Sequence, residues 1–161
     1  MKIFGKSLSE YVNFVKVFLV VILVVGILRL ALSMAGVPNA NVSGLSMSVA
    51  VLAGAIYCAV RVPKTGFGSY RHLLPLMVLQ SGTANAFAAL GILLAIATGQ
   101  DNVFTAPEYS GGGDGKTWSH FGAHLVLGLT LFPLLLWGVS SLVMFITKRM
   151  AARSGEAVGK A

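Results

Sequence analysis

The chain has 161 residues, 56% of them hydrophobic and 11% charged, with a mean hydropathy of +0.82, whereas a soluble domain carries about 25% charged residues. That balance excludes a soluble globular domain and identifies a membrane protein. The net charge of +7 is not the mark of a nucleic-acid reader, since no folded domain with a basic, aromatic-bearing face accompanies it.

A helix needs about 20 predominantly apolar residues to cross a hydrocarbon core of about 30 Å. Four stretches qualify: Phe14 to Met34, Leu45 to Val62, Leu73 to Thr98 and Phe121 to Thr147. The expected fold is an all-α membrane protein, four transmembrane helices in an antiparallel bundle, forming a single domain over residues 1–161. An outer loop spans 99–119 and a basic tail 148–161.

Ahead of the first span, MKIFGKSLSEYVNFVK places basic residues before an apolar run, as a signal peptide does. The run from Val17 to Ala35 exceeds the roughly 7–15 residues of a signal-peptide core, so a retained span is expected rather than cleavage after Ala35 or Ala40. Arg29 stands thirteen residues after Lys16, about 20 Å along a helix, and is an intramembrane charge. Its long side chain is expected to snorkel to the outer headgroups, with Asn85 or an outer-loop carboxylate as the alternative partner. Asn41-Val42-Ser43 matches a glycosylation acceptor, a motif too short to carry weight.

On the second span, Ser46, Ala50, Gly54 and Cys58 recur every four residues and form a small-residue helix-packing face that permits close backbone approach. Cys58 is the single cysteine, so no intramolecular disulfide or multi-cysteine metal site can form.

The third span begins at His72, with Pro75 expected in its first turn, and carries VLQSGTANAFAAL from Val78 to Leu90. Gln80 lies about 12 Å and Asn85 about 20 Å beyond His72 along the helix. The amides and hydroxyls of Gln80, Ser81, Thr83 and Asn85 therefore fall mid-bilayer, where they cannot snorkel, and are expected to make one broad polar stripe flanked by small pairs, Gly82 with Ala86 and Ala84 with Ala88. Such groups bond across helix interfaces for about 0.6 kcal/mol each on average, and packing is the preferred reading. A polar lining for a substrate or ion path, or an amide pair addressing a quinone or haem edge, is the functional alternative.

The outer loop holds Asp101, Glu108 and Asp114, three of the five acidic residues, with Phe104, Pro107, Tyr109, Gly111 to Gly113 and Trp118. A loop of this length in a small chain points to function or disorder, and a partly ordered, partner-contacting loop is expected. Ser110 to Thr117 has the look of a phosphate-binding loop, but that motif needs glycine where Ser110 stands and a preceding strand. No nucleotide is expected.

His120 and His124 are one helical turn apart at the outer mouth of the fourth span, with Gly128 one turn deeper. Imidazoles at this spacing can share a metal or exchange protons, with Asp101, Glu108 and Asp114 as candidate further ligands. Two interfacial side chains without a ligand are the plainer reading. His72 belongs at the opposite membrane face, so neither a three-histidine site nor a bis-histidine haem forms within one chain, and the polar stripe is expected to be separated in depth from every histidine. Pro133 should kink the fourth span.

Ten of the twelve basic residues (Lys2, Lys6, Lys16, Arg61, Lys64, Arg71, Lys148, Arg149, Arg153 and Lys160) fall on one side of a four-span chain. The positive-inside rule puts that side, with both termini, in the cytoplasm, where it can also attract anionic lipid. Tyr11, Tyr57, Tyr70 and Trp137 suit an inner aromatic belt, and Tyr109 and Trp118 an outer one.

With no enzyme motif, family motif or inverted repeat, the expected function is a non-catalytic integral membrane subunit that packs in or scaffolds a larger membrane protein assembly. A bacterial cytoplasmic (inner) membrane is its expected place, and no cofactor is expected. Its partners would be the lipid bilayer and other membrane subunits or a second copy, not nucleic acid. The alternatives are an oligomeric small-solute or ion transporter with its path along the third span, and a metal- or haem-binding redox component using the outer histidine pair.

Overall fold

The computed structural model describes residues 2–108 and 112–158, so the expectations for Tyr109, Ser110, Gly111 and Lys160 lie outside the described residues. The chain is all-helical apart from a small hairpin, with helix over 76% of its length, and has four helical segments long and apolar enough to cross a membrane.

The hairpin pairs β1 (Lys2–Ile3) with β2 (Lys6–Ser7) across a two-residue turn with φ of 51° at Phe4 and 88° at Gly5, the left-handed pair that a tight hairpin requires. Tyr11 donates its hydroxyl to the Ile3 carbonyl (2.9 Å) and is fully buried. It is a core residue rather than part of an aromatic belt.

Helix α1 (Leu8–Met34) opens with a capping box in which the Ser7 hydroxyl accepts from the Glu10 N–H and the Glu10 carboxylate accepts from the Ser7 N–H. The cap sets the helix start, six residues before the apolar run. Above Tyr11 and Val15, α1 leaves Val17, Val20, Val24, Ile27 and Leu28 exposed, as a lipid-facing helix does. A 3-10 turn over Asn39–Val42 leads to α2 (Met47–Lys64), capped by Ser46. Helix α3 (Tyr70–Thr98) starts at Ser69, whose N–H donates to His72 Nδ1 (2.9 Å), and ends on Gly99 with φ of 73°, the left-handed stop that glycine adopts without steric cost. Pro75 is consequently the sixth residue of α3, past the first turn where it was expected.

The fourth span is two helices, α4 (Trp118–Leu129) and α5 (Leu131–Val158), interrupted at Thr130. Pro133 has no N–H for the Leu129 carbonyl and its ring crowds that turn, so the expected kink is a break. Helix α3 touches every other helix. One apolar cluster gathers Tyr11, Val15, Cys58, Leu73, Met77 and Met144, and a second gathers Ile22, Ala50, Val51 and Ala84.

Of the small-residue positions, Ala50, Gly54 and Cys58 are buried and Ser46 serves as the α2 cap. A Cβ at Gly54 would collide with the Gln80 amide oxygen and with Phe18, so glycine here leaves room for the α1 and α3 side chains that pack on α2. The Gly82 and Ala86 expectation divides: Gly82 sits against Leu129 of α4, while Ala86 is exposed. The buried alanines of α3 are Ala84, Ala88, Ala89 and Ala95, none of them the expected Ala86.

Candidate functional site: a polar cleft beside the 99–117 loop

The polar residues of α3 do not form one stripe. Five residues separate Gln80 from Asn85, a rotation of about 140° at 3.6 residues per turn, and each amide meets a different neighbour. Gln80 is fully buried against α2, its Nε2 donating to the Leu76 carbonyl (3.3 Å) and the Cys58 thiol (3.7 Å). Its Oε1 has no hydrogen-bond partner. Thr83 turns its hydroxyl back onto the Leu79 carbonyl of its own helix (2.7 Å).

Ser81 and Asn85, one turn apart, face α4. The Ser81 hydroxyl donates to the Gly128 carbonyl (3.0 Å) beside the Thr130 break. Asn85 Nδ2 donates to the Ser81 carbonyl (2.9 Å), which fixes the amide's orientation, and Asn85 Oδ1 stands 2.9 Å from His124 Nδ1. An amide oxygen only accepts, so His124 Nδ1 carries the hydrogen. In the neutral ring Nε2 is then the atom with a lone pair. A Cβ at Gly128 would run into Asn85, and glycine there lets α4 come close enough for the bond.

The expected separation in depth between the polar stripe and the histidines is therefore wrong. His124 stands six residues, about 9 Å, inside α4, which brings it level with Asn85 on the facing helix. His72 does lie at the other end, where its Nε2 donates to the Phe4 carbonyl (3.1 Å) and fastens the hairpin to α3.

Arg29 does not snorkel. It is buried, 7% exposed, and its Nη1 donates to the Leu45 carbonyl (2.8 Å) just ahead of α2. A peptide carbonyl in the α1–α2 connection gives the guanidinium a partner within the protein, where a headgroup was expected.

These side chains meet at a cleft. A cavity of about 240 Å³ is lined by Arg29, Ser46, Ser48, Asn85, His124 and Phe104, among others. A second cavity, about 450 Å³, is lined by Val51, Phe132, Leu135 and Leu136 and shares Ser48, Ala84, Asn85 and His124 with the first. Both compartments are mostly apolar; the first also presents the Arg29 guanidinium and several serines, the second less polar surface, and the Asn85–His124 pair stands at their common wall.

The loop after α3 roofs the first compartment. Asn102 is buried and donates to the Gly91 carbonyl (2.7 Å), while its side-chain oxygen accepts from the Phe104 N–H (2.9 Å) and its own N–H donates to the Thr105 hydroxyl (3.0 Å). The Phe104 ring occupies the space over Gly91 and meets Phe87 edge-on, centroids 5.9 Å apart. Lys116 closes the loop on Asp101 (2.6 Å) and Asp114 (3.5 Å). Lys116 holds the Asp101 carboxyl below its usual range, and that carboxylate raises the lysine in return.

The expected outer-face site is thus divided. His120 and His124 come together, ring centroids 5.1 Å apart and tilted by 47°, whereas Asp101 and Asp114 gather on Lys116 and Glu108 is exposed. Among the described residues, no group of three or more histidine, cysteine, aspartate or glutamate side chains could hold a metal ion. His120 Nδ1 lies 2.9 Å from the Gly115 carbonyl and, facing an oxygen that only accepts, must donate. Trp118 is exposed at this end of the molecule. At the other end, Trp137 donates to the Tyr70 carbonyl (2.9 Å) and Lys148 lies over the Tyr70 ring.

Sequence reasoning missed Ser48, Asn102 and the roofing role of Phe104. For Asn102 a signal exists, because asparagine followed three residues later by threonine in a loop is a local turn pattern in which side chains bond nearby backbone. Ser48 carries none, since its role depends on which side of α2 faces α3. The chain matches no family model, no curated protein and no solved structure.

Proposed function

We propose that this protein binds a membrane-dissolved amphiphile in the outer half of the bilayer, with the polar head between Arg29, Ser48, Asn85 and His124 and the apolar portion along Val51, Phe132, Leu135 and Leu136. Two adjoining cavities that share the Asn85–His124 wall, one bearing the Arg29 guanidinium and the serines and the other more apolar, carry this reading. Small-molecule sites are concave, largely apolar and fixed by a few convergent polar groups. The Arg29 charge favours a head with anionic or electron-rich oxygens. The Ser48 hydroxyl favours one that also offers a hydrogen-bonding hydroxyl.

The scaffold-subunit reading rested on small-residue faces, and those faces are engaged inside the chain: Gly54 is closed in by Gln80 and Phe18, and Gly128 by Asn85. They therefore argue less for a partner. The transporter reading loses support for a related reason, because Gln80 and Asn85 point to different neighbours and do not line one path.

The test is extraction of the amphiphiles that co-purify with the full chain, identified by mass spectrometry. Wild type should retain one species in near-stoichiometric amount. Ala84→Phe, which fills the wall common to both cavities, should reduce retention at least tenfold, and equal retention by both proteins would refute the reading.

A further inference from the structure

We propose that His120 and His124 form a binding site for one divalent late first-row transition ion, held through both Nε2 atoms. Each ring has its Nδ1–H committed to a fixed oxygen: His120 to the Gly115 carbonyl and His124 to the Asn85 amide, both at 2.9 Å. This is the outer bonding that metal-ligating histidines show, an acceptor that fixes the tautomer, orients the ring and makes the remaining nitrogen more basic. Both remaining nitrogens are Nε2, and in the neutral rings both carry a lone pair.

The spacing agrees. An ion about 2.0–2.1 Å from each ring nitrogen sits roughly 3 Å from each ring centre, so two rings sharing it stand at most about 6–7 Å apart. The observed separation is 5.1 Å, with the rings tilted rather than stacked. The pair is held from both sides. Thr117 caps α4 by accepting from the His120 N–H (3.2 Å), and Asn85 belongs to the middle of α3, away from the loop. The other coordination positions remain for water or an oxygen-bearing ligand, since the nearby carboxylates are gathered on Lys116. Imidazole donors suit copper, nickel and zinc, and disfavour calcium and magnesium. In this arrangement His120 and His124 are ligands and Asn85 is a positioning residue.

Isothermal titration of the detergent-solubilised full chain with Zn²⁺ should give one ion per chain. His120→Gln and His124→Gln should each weaken binding by at least 100-fold, and Asn85→Leu by about 10–100-fold. The Cu²⁺-loaded wild type should show electron-paramagnetic couplings from two imidazole nitrogens, a signature that requires no variant to fold. Absence of stoichiometric Zn²⁺ binding by wild type, unchanged affinity in a folded His120→Gln protein, or a Cu²⁺ spectrum without two imidazole couplings would overturn the proposal.

Discussion

Two amides lie five residues apart on α3 and have opposite characters. Gln80 is sealed between α1 and α2 by Phe18, Gly54 and Cys58, and leaves its buried Oε1 without a hydrogen bond. Asn85 has both ends engaged, donating to the Ser81 carbonyl and accepting from His124, and it borders both cavities. A polar residue in the membrane interior thus says little by its presence. What it bonds, and whether a cavity stands beside it, separates packing from a site. Gln80 is tolerated in its pocket, whereas Asn85 sets the tautomer and position of a ring that faces a ligand-sized space.

The largest effect should come from crowding the Gln80 pocket. Gly54→Val places carbon where the Gln80 amide and Phe18 already sit, and overpacking of a filled core costs about 3 kcal/mol. Unfolding in detergent micelles, followed by circular dichroism, should show that loss. An unchanged midpoint would mean that α1, α2 and α3 are not closely packed there.

Next comes Asn85→Leu. It leaves the His124 Nδ1–H without its acceptor, a loss of about 1–3 kcal/mol for a part-buried donor, and it should also abolish amphiphile retention. Gln80→Met is the matched change on the other side of the comparison. It removes an unsatisfied buried oxygen at similar volume, so stability should stay within about 0.5 kcal/mol of wild type or rise slightly. If Gln80→Met were as damaging as Asn85→Leu, the distinction between the two amides would fail.

The smallest effect concerns the loop that roofs the Asn85 side. Asp101 has its pKa lowered chiefly by the Lys116 hydrogen bond, and Lys116 has its pKa raised chiefly by Asp101. A carboxylate with a lowered folded value contributes fully above its unfolded value of about 3.9, and that contribution is lost as pH falls through the lower folded value. A lysine with a raised folded value contributes fully below about 10.4 and loses its contribution as pH rises through the higher folded value. The closure should therefore hold between about pH 4 and pH 10 and loosen outside that window. Amide chemical shifts of Asn102 and Thr105 across a pH titration would report it. Asp101→Asn should shift those resonances at neutral pH, while Gln80 resonances should be unaffected by either change.

Legibility in the sequence followed the range of the interactions. The four apolar runs were readable because crossing a bilayer imposes length and composition on each segment separately. Helix starts were readable in principle from Ser7 with Glu10 and from Thr117, because caps act over three residues. The spacing of His120 and His124 and of Ser81 and Asn85 showed which residues share a helix face, but not which face meets which helix. Arg29 is the sharpest case, since its inward turn depends on a carbonyl sixteen residues away at Leu45.

The sequence alone determined that this chain is an all-helical protein with four membrane-length apolar segments, because hydropathy and capping are local properties of the chain. Only the tertiary structure decided that VLQSGTANAFAAL holds two different amides, that Arg29 points inward and that His124 joins Asn85. Those outcomes depend on how each helix is rotated and raised against its neighbours. Close approach at Gly54 and Gly128 sets that arrangement, and periodicity along one segment does not encode it.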